Sequence, residues 1–149
     1  MKELESILTD LTYVESMFGD NKNFHGTFTF DKQKSFTDIF LEAKNKEISV
    51  EQLELLKSFI ENFVNKHEEI KNVFKRNLSG IENKMNEILS NISYEVIYIP
   101  NHNNKYNFVV IASSFHKFLF FKKNITFRIE YRNGVISSSK KTNNGLEEN

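Results

Sequence analysis

Cysteine and tryptophan are absent from this 149-residue chain, proline occurs once, arginine three times and glycine five times. Without cysteine there are no disulfides, no thiolate nucleophiles and no cysteine metal ligands, a composition that suits a reducing compartment. One proline leaves no room for a proline-rich linker. No apolar run approaches the roughly 18 residues of a spanning helix. The start, "MKELESILTD", places acids among its apolar residues and does not read as a secretory signal, so a cytoplasmic location is expected. Glycine-rich phosphate loops, a nucleophile elbow and paired zinc ligands are also missing, because the five glycines are scattered and the four histidines (His25, His67, His102, His116) include no close pair. No residue set recommends catalysis, a cofactor or a metal.

What the chain does have is phenylalanine, 15 of them, each able to bury a large apolar area. It has charge as well, in an uneven pattern under a net charge of zero. Residues 1–92 carry 12 basic and 16 acidic side chains, residues 93–141 carry 8 basic and 2 acidic, and the last eight residues add two more acids. The two acids of the basic stretch are Glu95 and Glu130. A solvated face balanced by the acidic half explains the asymmetry without function. A site for an acidic partner explains it with one.

Periodicity sets the architecture. Leu53, Leu56, Ile60, Phe63, His67, Ile70 and Phe74 alternate spacings of three and four, which predicts one helix from about Val50 to Arg76. Ser49 and Gln52 have capping-box spacing at its start. "LSG" at 78–80 breaks the pattern, and Ile81, Met85, Ile88 and Ile92 predict a second helix to about Asn91. His67 lies in the apolar seam, where a packed histidine is expected rather than a ligand. Before the helices, "FHGTFTFD" alternates as a half-buried strand, and "SFTDIFLEAK" reads as its hairpin partner. After them come "YEVIYIP", "YNFVVIAS" and "NITFRIEYRNGVISS", the last with Asn133-Gly134 as a type I′ turn. Residues 1–18 fit a helix (Leu4, Ile7, Leu11, Val14, Phe18) and a strand ("ILTDLTYV") alike. Strands, two helices, strands is the order of an α+β domain: an antiparallel sheet with two helices packed on one face. One domain over 1–140 and a disordered tail over 141–149 are expected.

Residues 115–123, "FHKFLFFKK", are the densest apolar stretch. Alternation places Phe118 and Phe120 on one side and Leu119 and Phe121 on the other, which predicts a strand buried on both faces or covered by the helical stripe. A partner-binding patch and membrane contact are the alternatives, and bare rings are costly at about 25 cal/mol per Å². The basic half offers Lys105, Tyr106, Lys117, Lys122, Lys123, Arg128 and Arg132 as candidate partner-binding residues. With Tyr98, Phe108 and Tyr131 they could also form a stacking platform for nucleic acid.

Residues 24–74, with Ile48, Ser49 and Gln52 at the helix start, together with the Asn133-Gly134 turn, resemble a group of uncharacterised bacterial domains over about residues 6–138. Some of that group resemble immunity proteins of toxin systems. The resemblance implies a strand hairpin, two helices, a closing sheet and a strand at the N-terminus, and it brings no functional residues with it. The expected function is therefore a non-enzymatic protein-binding domain, immunity-like or accessory, whose partner is another protein and not a membrane. The alternative is a nucleic-acid binder using the basic C-terminal sheet.

Overall fold

The computed structural model describes residues 6–8, 10–15, 22–30, 35–43, 47–101 and 108–142. Seven strands form one sheet in chain order: β1 (Thr12–Glu15), β2 (Lys22–Phe28), β3 (Thr37–Glu42), β4 (Ser93–Ile99), β5 (Phe108–Phe118), β6 (Phe121–Arg132) and β7 (Val135–Thr142). The class is α+β, dominated by strands. All neighbours pair antiparallel except β3 and β4, which run parallel. That pair departs from the purely antiparallel expectation for a topological reason. The helices lie between β3 and β4 in the chain, and such a crossover can return the strand in the same direction, which a tight hairpin cannot.

The expected long helix is two: α1 (Val50–Glu61) and α2 (Phe63–Asn77). They meet at Asn62, whose backbone leaves the helical region at φ −103°, ψ 24° and whose side-chain Nδ2 donates to the Ser58 carbonyl at 2.9 Å. A short polar side chain that bonds the preceding turn competes with the helical ladder. The next helical segment is a 3₁₀ turn (Glu82–Lys84) running into α3 (Met85–Ser90). At the N-terminus both readings hold in part, because residues 6–8 and 10 are helical and Thr12–Glu15 form β1. β7 continues through Lys141 and Thr142, opposite Phe127 and Thr126, two residues past the predicted domain end. Residues 143–149 lie outside the described residues.

Of the predicted stripe Leu56, Ile70 and Phe74 are buried and Leu53, Ile60, Phe63 and His67 half-buried, while Phe59 and Val73, outside it, are buried too. Leu56, Phe59, Ile70, Val73, Phe74 and Ile88 share one cluster with alternate strand residues, among them Ile39, Leu41, Ile97, Ile99, Val110, Phe127 and Ile129. The strand residues in between (Phe40, Val96, Tyr98, Val109, Ile111) form a second, smaller cluster. Aromatic rings knit the larger one: Phe30 stacks on Phe63 at 4.3 Å, Phe59 meets Phe108 edge-on at 5.6 Å, and Phe108 stacks on Tyr131 at 4.5 Å. His67 is half-buried, sits against Phe63 and bonds the Tyr94 hydroxyl through Nδ1, so it is packed in the seam as its place there predicts. Burial raises the pKa of Tyr94, with Tyr131 and Glu68 adding to the shift. Burial, then Glu69, does the same for Tyr131.

Gln52 is the polar staple of this core. The capping box forms as its spacing predicts: Ser49 N–H donates to Gln52 Oε1 at 2.8 Å, and Gln52 N–H donates to Ser49 Oγ at 3.2 Å. The same buried side chain donates from Nε2 to the carbonyls of Glu42 (2.8 Å) and Ile99 (3.0 Å), the last residues of β3 and β4. One amide thus caps α1 and clamps the ends of the parallel pair. Gln52→Leu should remove the cap and both carbonyl bonds, leaving the Glu42 carbonyl the longer bond from Asn101 Nδ2 at 3.5 Å, and cost about 2–4 kcal/mol. Urea denaturation reads this directly, and a loss below about 0.5 kcal/mol, the range of an ordinary surface substitution, would show that the staple carries no weight.

Candidate interaction surface

Strand length decides which part of the sheet is left bare. β5 has 11 residues and β6 has 12, against 7 in β4 and 8 in β7. β4 pairs with β5 only as far as Ser113, and β7 pairs with β6 only from Thr126 onward. Residues 114–118 and 121–125 therefore pair with each other and, among the described residues, with no other strand. They form a two-stranded arm that projects past its neighbours.

The root of the arm is braced. The Ser114 hydroxyl donates to the Ile88 carbonyl at the middle of α3, Lys117 N–H donates to Glu87 Oε1 at 3.1 Å, and Ser114, His116 and Ile125 are buried. The tip is bare. Phe118, Leu119, Phe120 and Phe121 are 61, 79, 99 and 71 % exposed. This corrects the expectation that the stretch is a doubly buried strand. Alternation describes which face a side chain takes, but a face is buried only where another element covers it, and the arm has outrun its cover. Leu119 turns the chain at φ 55°, in the left-handed region that non-glycine residues enter at a cost. The Asn133-Gly134 turn, at φ 53° and 80°, uses residues suited to that conformation.

The candidate basic residues do not form one site. Lys117 and Lys122 face each other across the arm, and Lys123 lies opposite His116 on its other face. The Lys122 ammonium sits 4.2 Å from the centre of the Phe115 ring. Arg128, by contrast, is buried in the middle of β6, opposite Ile111 and Lys140. Arg132 is exposed at the far end of β6, ten residues from Lys122, about 33 Å along the strand. Lys105 and Tyr106 lie outside the described residues. The rings expected in a nucleic-acid platform are not at the surface: Tyr98, Phe108 and Tyr131 are all buried.

Polar pairs elsewhere stay apart. His25 Nε2 lies 2.8 Å from Asp38 Oδ1, with the imidazole stacked on Phe40. Ser113 donates to Glu95 at 2.6 Å. These pairs occupy β2–β3 and β4–β5, so His25 and Ser113 are three strands apart, about 14 Å, too far for proton transfer between them. Among the described residues no three His, Asp or Glu side chains converge to hold a metal, and no helix is long and apolar enough to cross a membrane. No family model, curated protein or solved structure matches the chain.

A bare, strained tip has a measurable signature. Replacing Leu119-Phe120 with Gly-Asn should raise stability by about 1–2 kcal/mol, because glycine accepts the positive φ found at the first turn position alone and no packing is lost. A fall in the denaturation midpoint would mean that the tip is packed against something.

Proposed function

We propose that the protein is a non-enzymatic binding protein whose contact element is the β5–β6 arm. The observation that carries this reading is the contiguous exposure of Phe118, Leu119, Phe120 and Phe121 at the end of a braced hairpin. Isolated exposed apolar residues are ordinary on a protein surface, but four in sequence at a projecting turn make a patch, and such patches mark interaction sites. In this reading the helices cover one face of the sheet and leave the arm as the place where apolar surface meets solvent. The partner presents apolar surface ringed by negative charge, matching Lys117, Lys122 and Lys123. A protein groove with acidic rims has that chemistry, in keeping with a protein-binding, immunity-like or accessory role. So does an anionic lipid surface. The same lysines suit nucleic acid, but the burial of Tyr98, Phe108 and Tyr131 supports that reading less.

A photoreactive phenylalanine analogue at position 120, with a second at the exposed helix residue Val64 as control, tests the contact element in cells that make the protein. Adducts of defined mass, to protein or to lipid, are expected from position 120 and not from 64. Equal or stronger yield from 64 would remove the arm from the account.

A further inference from the structure

The placement of charge around the tip says what kind of surface it meets, given the reading of the arm as the contact element. Residues 113–124 contain three lysines and no acid. The ladder sets Lys117 and Lys122 on one face and Lys123 on the other, so positive charge lies on both sides of the arm just behind the apolar residues. The two lysines of the first face stand directly opposite each other, an arrangement that costs a hairpin stability. A groove in a folded partner grips one face of a strand pair. Here the rings are exposed all round the turn, on a convex end, with three lysines and a carboxylate, Glu87 of α3, behind them. That geometry matches a medium that closes over the tip from every side and is negatively charged at the level of the lysines. Aromatic rings settle at the boundary of headgroups and acyl chains, while lysine stems lie along apolar surface with their ammonium groups among the phosphates. Further back, at the base of the arm, lies a cleft of about 370 Å³ with polar lining from Ser90, Ser93, Ser113 and Asn124 beside Lys122.

We propose that the arm docks the protein peripherally on an anionic lipid bilayer, with Phe118, Leu119, Phe120 and Phe121 entering the interface and Lys117, Lys122 and Lys123 holding it to phosphate. Neither half suffices alone, since one small apolar anchor gives marginal binding and a basic patch is screened by salt.

Sedimentation of the full chain with vesicles tests this, using phosphatidylcholine alone and phosphatidylcholine mixed with phosphatidylglycerol. The protein should pellet with the mixed vesicles, remain in solution with phosphatidylcholine alone, and release as salt rises. Changing Lys117, Lys122 and Lys123 together to Gln should weaken binding about 100-fold. Leu119→Ser with Phe120→Ser should weaken it at least tenfold at unchanged unfolding midpoint, because those side chains carry no packing. A chain that stays in solution with both vesicle types, or variants that bind like the parent, would overturn the lipid assignment. Adducts from position 120 to protein alone would do the same while leaving the arm as the contact element, so the two readings fail separately.

Discussion

The structure turns on a mismatch of strand lengths. A hairpin of 11 and 12 residues stands between neighbours of 7 and 8, and a sheet can share its burial only as far as its shortest strands reach. Inside that limit the apolar residues of β5 and β6 lie beneath helix or beside strand. Beyond it α3 still braces the root, where Ser114, His116 and Ile125 are buried, and the same alternation then runs on into the exposed Phe118–Phe121. The arm is thus a consequence of register: shift β4 or β7 along the ladder by four residues and part of its rings would have a neighbour. A slip of four residues keeps every side chain on its own face, so it is the fit of the packed rings and the clamped strand ends that resists it, not alternation.

The interior holds that register in place from the other end. Gln52 joins the start of α1 to the last residues of β3 and β4, the parallel pair of the sheet. The aromatic packing of Phe30, Phe59, Phe63, Tyr94, Phe108 and Tyr131 then ties α1 and the start of α2 to β4, β5 and β6. Ser114 and Glu87 tie the root of the arm to α3, so the bare tip is carried on a braced base and not on a loose loop. Ordering a contact element before it meets its target lowers the entropy cost of binding.

The sequence was most legible where local physics acts alone. The capping box at Ser49 and Gln52, the Asn133-Gly134 turn, the stripe from Leu53 to Phe74 and the place of His67 within it all follow from spacing and residue type. The break at Asn62 is a local competition that an unbroken apolar stripe conceals. The direction of β4 against β3 is set by the path of the crossover and has no residue signature. The candidate surface was legible in composition but not in burial. "FHKFLFFKK" stood out at once, yet whether its rings are core or surface depends on where β4 begins and β7 ends, and single-strand alternation does not contain that. Arg128 shows the same limit in reverse: a charged residue on the polar side of its strand that the neighbouring strands nevertheless enclose.

Because the chain has no tryptophan, one placed at position 120 reports on the tip alone. Acrylamide quenching of Phe120→Trp, with Phe59→Trp as the buried reference, measures whether the arm stands free in the unbound protein. The account predicts water-like emission at position 120, quenched as fully as free tryptophan, and a shielded, blue-shifted signal at 59. Shielded, blue-shifted emission at 120 in the isolated monomer would contradict it, because the rings would then be packed within the protein's own fold.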